Sequence, residues 1–395
     1  MMTLLAWLLG VAAAILCLPV LVLFTQVLMA CLPGRALPST RGVRPRVAVL
    51  VPAHDEASII RSTLDSIRPQ LLDGDRLLVV ADNCGDDTAT RAHAAGAEVI
   101  ERQHAHWRGK GYALDFGVRH LAGDPPDVVV IIDADCQVGA AAIDLLARRC
   151  LQVARPVQAL YLMRAPAGAG LKVQIAEFAW RVKNLVRPRG WVRLGLPCQL
   201  MGSGMAFDWR DLALIDLASG HLVEDLKMGL DFCRNGKAPA FCPEAVVTSE
   251  FPSSQEGLSS QRKRWEHGHL GVLLTDAPKL IVESLARRNG QLLAMTADLL
   301  VPPLALLVLA LMVMFGVCWL AFMLFDVLAP ALIATLGLAL LGAAVLLAWA
   351  RFSRELISFS VLLYAPFYAV KKIPLYLGFL IKRQVEWVRS KRDDS

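Results

Sequence analysis

The chain has 395 residues, 55% of them hydrophobic, and a formal net charge of +6. It is longer than one core ordinarily absorbs and more apolar than a typical soluble domain, so a folded domain plus further elements is expected. The positive charge is modest and sits beside apolar stretches, which points to anionic lipid and leaves nucleic acid out of the expected partners. Nine cysteines are scattered without a C-x-x-C pair, which excludes a zinc knuckle or a dithiol redox motif and predicts free thiols in a reducing compartment.

No residue between Leu4 and Leu32 is charged, and ~20 apolar residues suffice to cross a bilayer. A cleaved signal peptide, or a lipoprotein signal at 28-LMAC-31, is the competing reading; the absence of a preceding Lys or Arg tells against both. Arg35, Arg41, Arg44 and Arg46 follow the run, which by the positive-inside tendency places the middle of the chain in the cytosol. Residues 46 to 160 then alternate strand-like and helical stretches. Strands are expected at 47-VAVLVPA-53, 77-LLVVAD-82, 98-EVIER-102 and 128-VVVII-132, and helices at 57-ASIIRSTLDSI-67, 87-DTATRAHAAG-96 and 111-GYALDFGVRHLAG-123. That order predicts a parallel α/β sheet covered on both faces, with ligands beyond the carboxyl ends of the strands.

Acidic residues cluster at those ends: His54-Asp55-Glu56, Asp82, and the pair Asp133 and Asp135. Two close carboxylates stay ionised only beside a cation. Two positions apart on an extended chain, Asp133 and Asp135 share one face, and hard oxygen ligands suit Mg²⁺ or Mn²⁺. The plainer alternative is a solvated turn, where Asp is common. No G-x-G-x-x-G follows the first strand, and 109-GKGYAL-114 lacks the spacing of a phosphate-binding P-loop. Further on, Glu224 and Asp225 open a helix-like segment, where capping is the bland explanation. Gln261, Arg264 and Trp265 fall on one helical face. Arg264 there can neutralise a diphosphate and Trp265 can underlie a sugar; a basic helix lying on the membrane is the alternative. His267 and His269 point apart on a helix and are read as structural.

The segment 171-LKVQIAEFAWRVKNLVRPRGW-191 mixes apolar, Trp and basic residues and suits the inner-leaflet surface. Apolar blocks from Leu299 to Phe325 and from Val327 to Ala350 read as one transmembrane hairpin. Leu356 to Val370 is short for a crossing. A fourth span would also expose Lys382, Arg383, Arg389, Lys391 and Arg392 on the wrong side, so interfacial helices are favoured. The expected division is therefore a transmembrane helix in 1–34, a cytosolic domain with interfacial helices in 35–290, a hairpin in 291–351, and interfacial or further membrane helices with a basic tail in 352–395. The expected place is a cell's inner membrane, crossed more than once.

Asp82, the D-A-D at 133–135, the E-D at 224–225 and Q-x-x-R-W at 261–265, in that order behind a membrane anchor, resemble the membrane-integrated family-2 glycosyltransferases. That branch includes cellulose, hyaluronan and chitin synthases and ceramide glucosyltransferase. The resemblance spans residues 46 to 270 and implies a Rossmann-like GT-A domain, a nucleotide-sugar donor (a UDP-sugar most often) and a divalent metal. It implies donor contacts at Pro52, Ala53, Glu56, Asp82, Lys110, Asp133 and Arg264, and metal ligation by Asp133 and Asp135. It also implies an acceptor site at Gly202, Ser203, Gly204, Gln261 and Trp265, with Asp225, preceded by Glu224, as general base. Where the family often has T-E-D this chain has V-E-D, with Val223 in place of Thr. The implied reaction is an inverting hexosyl transfer giving a β-glycoside, in glycolipid or exopolysaccharide synthesis. Three spans are few for a polymer pore, so a lipid or lipid-linked saccharide is the expected acceptor. A processive polysaccharide synthase is the alternative, and a non-catalytic nucleotide-sugar sensor is the alternative of another class. A transporter fits poorly, because polar sites are nearly absent from the apolar spans.

Overall fold

Val47 to Val51 are aliphatic on both faces of the pleat, and such a strand is stable only with both faces covered. In the computed structural model, which describes residues 2–33 and 43–381, this strand lies within an eight-stranded sheet. The basic residues Arg35 and Arg41 and the tail from Lys382 lie outside the described residues.

The chain opens with helix α1 (Met2–Cys31). Then come β1 (Val47–Ala53), α2 (Ile60–Ile67), β2 (Arg76–Asp82), α3 (Thr88–Ala94), β3 (Glu98–Arg102), α4 (Lys110–Leu121) and β4 (Val128–Ile131). Next are β5 (Gln137–Val138), α5 (Ala142–Val153), β6 (Val157–Arg164), α6 (Leu171–Arg181), α7 (Arg187–Arg193) and β7 (Met205–Asp208). After α8 (Glu224–Arg234), β8 (Ala240–Glu250) and α9 (Gln255–Thr275) the chain is helical: α10 (Ala277–Ala286), α11 (Gly290–Leu299), α12 (Leu304–Phe325), α13 (Leu328–Phe352), α14 (Phe359–Leu363), α15 (Ala365–Val370) and α16 (Ile373–Ile381).

Two compact units emerge. Of the described residues, the sheet unit comprises 43–167 and 197–268. Its strand order is β3-β2-β1-β4-β7-β6-β8-β5. The first four strands in space are parallel, as the alternating pattern predicts; β7 then runs antiparallel to both β4 and β6, and β5 antiparallel to β8, so the sheet is mixed. Leu50, Leu78, Val80, Leu114 and Ile131 pack with Phe207 and Phe232, whose rings stack at 5.3 Å. Burial at ~25 cal/mol per Å² of apolar surface makes this layer the main stabilising element of the unit.

Of the described residues, the helical unit comprises 2–33, 168–196 and 269–381. Val20, Leu23, Val27, Leu307, Leu311, Leu341 and Ala344 form its interior. Among the described residues three helices, Thr3–Cys31, Leu304–Phe325 and Leu328–Phe352, are long and apolar enough to cross a membrane. A single turn of π-helix at Val182–Val186 joins α6 to α7. At Gly190, α7 meets α1 backbone to backbone: a Cβ there would stand 2.0 Å from the carbonyl oxygen of Gln26. After α13 the apolar sequence breaks into the short helices α14, α15 and α16. All nine cysteines are free thiols.

Candidate active site at the carboxyl edge of the sheet

The residues after β4 do not continue as a strand. Asp133 is already out of the ladder, and Ala134 and Asp135 form a turn. The two carboxylates converge because the chain bends and not, as the pleat would have it, because it stays extended. Asp133, Asp135 and Cys136 bring potential ligand atoms within 4.8 Å of one another. Burial, and then Asp133, push the Cys136 thiol up to about 12, so it stays protonated and leaves two carboxylates as the donors. Ser203 Oγ accepts from the Asp133 N–H at 3.0 Å, and Ser249 Oγ donates to Asp135 at 3.2 Å.

The cation that an acidic pair demands is supplied in part by Lys110, at the start of α4. Its Nζ lies 2.5 Å from Asp133 Oδ1, 2.7 Å from the Gly202 carbonyl and 3.7 Å from Glu224 Oε1. Burial alone would lower its pKa; Asp133, Glu224 and Asp225 outweigh that and raise it, so Lys110 remains an ammonium. Glu224 responds in the opposite sense. Burial, reinforced by Asp225 and Asp133 and opposed by Lys110, pushes its carboxyl up to about 7. Arg264, on α9, is lowered first by burial, while Glu224, Asp133, Tyr161 and Asp225 act to raise it. The guanidinium therefore belongs to the same field.

Gly202 stands at the centre. Its φ is +93°, and a Cβ there would be 3.5 Å from Asp225 Oδ2, 3.8 Å from Asp133 Oδ2 and 3.8 Å from Lys110 Nζ. Ser203 is fully buried, and its hydroxyl holds the Asp133 backbone. Gly204 packs tightly under β6 and β8: a Cβ would meet Ala159 at 2.6 Å. Gln261 is buried with its Oε1 lacking a hydrogen-bond partner, and Trp265 is half-buried one turn further along α9.

Pro52 and Ala53 end β1, in register with Val80 and Ala81 of β2. Asp82 ends β2, largely buried, with its Oδ1 2.5 Å from Arg102 and 3.0 Å from Asn83 Nδ2. The Glu56 N–H donates to Thr88 Oγ1 at 2.8 Å. These contacts tie Asp82 to Arg102 and not to Lys110. Arg102 is a partner that sequence reasoning missed. Its position opposite Asp82 is a matter of parallel register between β2 and β3, which spacing alone does not reveal. Missed too was an aromatic stack beside it. His104 and Trp107 are 4.5 Å apart and parallel, Trp107 and Tyr112 6.1 Å apart, and Arg102 lies 5.5 Å over Tyr112. The nearby group Asp55, Cys84 and Asp86 is taken up by loop hydrogen bonds: Asp55 accepts from the Gly85 N–H, and Asp86 from the N–H groups of Ala57 and Thr88.

A mixed α/β sheet with acidic residues, a lysine and an arginine gathered beyond its strand ends defines a nucleotide-dependent transferase domain of GT-A architecture. Residues 45–268 match the family described as glycosyltransferase like family 2, and the chain belongs to that family. In sequence it is 44% identical over 96 residues to glucosyl-3-phosphoglycerate synthase of Mycolicibacterium paratuberculosis, a match covering 22% of this chain and 28% of that protein. It is 26% identical over 257 residues to the probable glycosyltransferase YdaM of Bacillus subtilis, covering 58% of this chain and 56% of that one. The chain thus aligns with little more than a quarter of the first of these relatives. In structure, a mannosyltransferase of Pyrobaculum calidifontis, solved with GDP-mannose and Mn²⁺, superposes with a TM-score of 0.56 at 17% identity, covering 97% of this chain and 100% of that one. That likeness is one of fold.

Proposed function

We propose that this chain transfers a sugar, with inversion, from a nucleotide donor of the UDP-sugar class to a lipid or lipid-linked saccharide at the inner face of a membrane. The observation that carries the reading is the convergence of Lys110, Asp133 and Asp225 around the bare Cα of Gly202. Without a Cβ at this position the backbone leaves Asp225, the base, and Lys110, the cation, uncrowded.

Asp225 accepts the proton of the acceptor hydroxyl as that oxygen attacks the anomeric carbon. The bond from that carbon to the diphosphate breaks, and its electron pair leaves with the nucleoside diphosphate. Lys110 and Arg264 offset the charge that grows there. Glu224, beside Lys110, keeps the ammonium in position. A divalent cation, Mg²⁺ or Mn²⁺, held by Asp133 and Asp135 would add Lewis-acid charge to the diphosphate when bound. The two carboxylates fit it, since their donors converge; Ser249 donates to the Asp135 carboxylate and Ser203 fixes the Asp133 backbone. Asp82, Pro52, Ala53 and Glu56 form the base and ribose side, and Gln261 and Trp265 the acceptor side.

The lipid acceptor is supported by three helices of spanning length and by the Trp- and Arg-bearing segment of α6 and α7. On this reading residues 1–34 and 291–351 lie in the membrane and the sheet unit is cytosolic. A second reading is a small phosphorylated acceptor, favoured by the stretch shared with glucosyl-3-phosphoglycerate synthase.

The test uses detergent-purified full chain, a panel of nucleotide sugars, and three acceptor classes: membrane lipid extract, 3-phosphoglycerate, and none. Nucleoside diphosphate release, product size and anomeric configuration are followed with and without Mn²⁺. Lipid-dependent release yielding a β-glycoside is expected. Release only with 3-phosphoglycerate would replace the lipid reading with the second one. Long polymer would establish a processive synthase, and donor binding without turnover would mark a sensor.

A further inference from the structure

Arginines in the helical unit fall into two groups. Arg187 is paired with Asp298 at 2.9 Å, and Arg181 donates to the Phe352 carbonyl at 2.7 Å. Arg189, Arg193 and Arg351 form no ion pair with any carboxylate among the described residues. Arg189 and Arg193 lie one turn apart on α7, hence on one face. The Arg189 guanidinium is 5.6 Å from the centre of the Phe352 ring at the end of α13, where Arg351 also sits. Arg351 hydrogen-bonds Cys31, the last residue of α1. The cluster therefore stands where the carboxyl ends of two spanning-length helices meet.

Three cations gathered without an anion repel one another. Arg189 is lowered by burial and then by Arg193 and Arg351. Helix-end charge compensation accounts for Arg351 and Arg193 in the last turns of α13 and α7. It does not account for the buried Nε groups of Arg189 and Arg193, nor the buried Trp191 Nε1, all of which lack hydrogen-bond partners. Buried donors ordinarily have acceptors, so three unmet ones beside clustered cations call for an explanation, of which a bound anion is one. Guanidinium forks match phosphate oxygens bidentately, and indole N–H groups suit the same level of a bilayer.

We propose that Arg189, Arg193 and Arg351, with Trp191 beside them, bind the phosphate of a membrane lipid, either a resident phospholipid or a phosphorylated polyprenyl chain. The site lies on elements that the transfer chemistry does not use. It rests on the reading that α1, α12 and α13 cross a membrane, at whose boundary lipid phosphates lie.

The test is lipid retention by the full chain, by native mass spectrometry and by titration in neutral detergent. The probes are phosphatidylglycerol, a polyprenyl monophosphate, phosphatidylcholine and inorganic phosphate. One or both anionic lipids should bind well above phosphatidylcholine, the preferred one identifying the source of the phosphate. The double variant Arg189→Gln/Arg193→Gln should weaken that binding at least about tenfold. Arg189→Lys/Arg193→Lys, which keeps the charge and loses the fork, should fall between. Lys279→Gln/Arg288→Gln, an equal loss of charge at exposed positions of the same unit, should bind as the parent does. Equal loss in that control, unchanged binding in the Gln variant, or binding of inorganic phosphate without lipid preference would overturn the proposal. Carbonate washing of membranes tests the underlying reading separately: release of the chain would overturn the membrane assignment whatever the variants do.

Discussion

Charge is buried in both units of this chain, and the difference lies in how completely it is satisfied. In the helical unit, Asp298 Oδ1 receives Gln26 Nε2 at 2.6 Å and Arg187 Nη2 at 2.9 Å, while the same Nη2 also reaches the Asp298 carbonyl at 2.6 Å. One anion, one cation and an amide N–H close on each other, and among the described residues Gln26 Oε1 is left without a hydrogen-bond partner. In the sheet unit, Asp133, Glu224 and Asp225 share Lys110 and Arg264, with Asp135 alongside. Acid exceeds base there, and burial, reinforced by Asp225 and Asp133, holds Glu224 up near 7. A closed set fixes shape; a set with surplus charge is incomplete until a ligand arrives.

The comparison breaks most sharply at Asp225. Asp225→Asn should lower turnover about 10³-fold, as loss of a general base does, with donor affinity and thermal stability near those of the parent. A variant that melts earlier instead would make Asp225 part of a structural set.

Asp298→Ala should do the converse. Removing one partner of a buried pair costs about 3–5 kcal/mol, whereas replacing the set with well-packed apolar residues is often neutral. A lowered melting transition is expected for the single variant, largely restored in Gln26→Leu/Arg187→Met/Asp298→Leu. A harmless Asp298→Ala would remove the distinction between the two burials.

pH sharpens the contrast. Glu224 titrates near 7 in the folded chain against an ordinary value of 4.5, so folding retains a proton that the unfolded chain releases. Its contribution to stability is present below 4.5 and lost as pH rises toward 7. Glu224→Gln should flatten that part of the stability profile of metal-free protein; an unchanged slope would place the proton elsewhere.

Gly202→Ala should act more weakly. A methyl 3.5 Å from Asp225 and a positive φ together cost ~1–2 kcal/mol, read as lower kcat with a small loss of stability. Smallest of all, Arg61→Ala removes an exposed i,i+4 pair with Asp65 and should shift stability by no more than ~0.5 kcal/mol.

Much of this was legible in the residues. The aliphatic strands β1, β2 and β4, the helices long enough to span and the α9 face carrying Gln261, Arg264 and Trp265 all follow from periodicity, which local geometry enforces. The strand β7 was not legible: four residues of mixed character become an inner strand only because β4 and β6 flank them. Nor does the sequence show that Ser203 holds the Asp133 backbone or that Ala159 and Val247 crowd Gly204. Asp298 ends an ordinary apolar helix, and nothing nearby in sequence announces Arg187 as its partner 111 residues away.

The sequence by itself determined the strands β1 to β4, the helices between them and the helices long enough to span, because those are properties of spacing along the chain; the acids and the Q-x-x-R-W motif added a resemblance to a family. Only the tertiary structure decided which carboxylates share a lysine, which glycine sits among them, and which arginines are left without an anion. Charge interactions act through space and burial, and both depend on chain segments that meet only on folding.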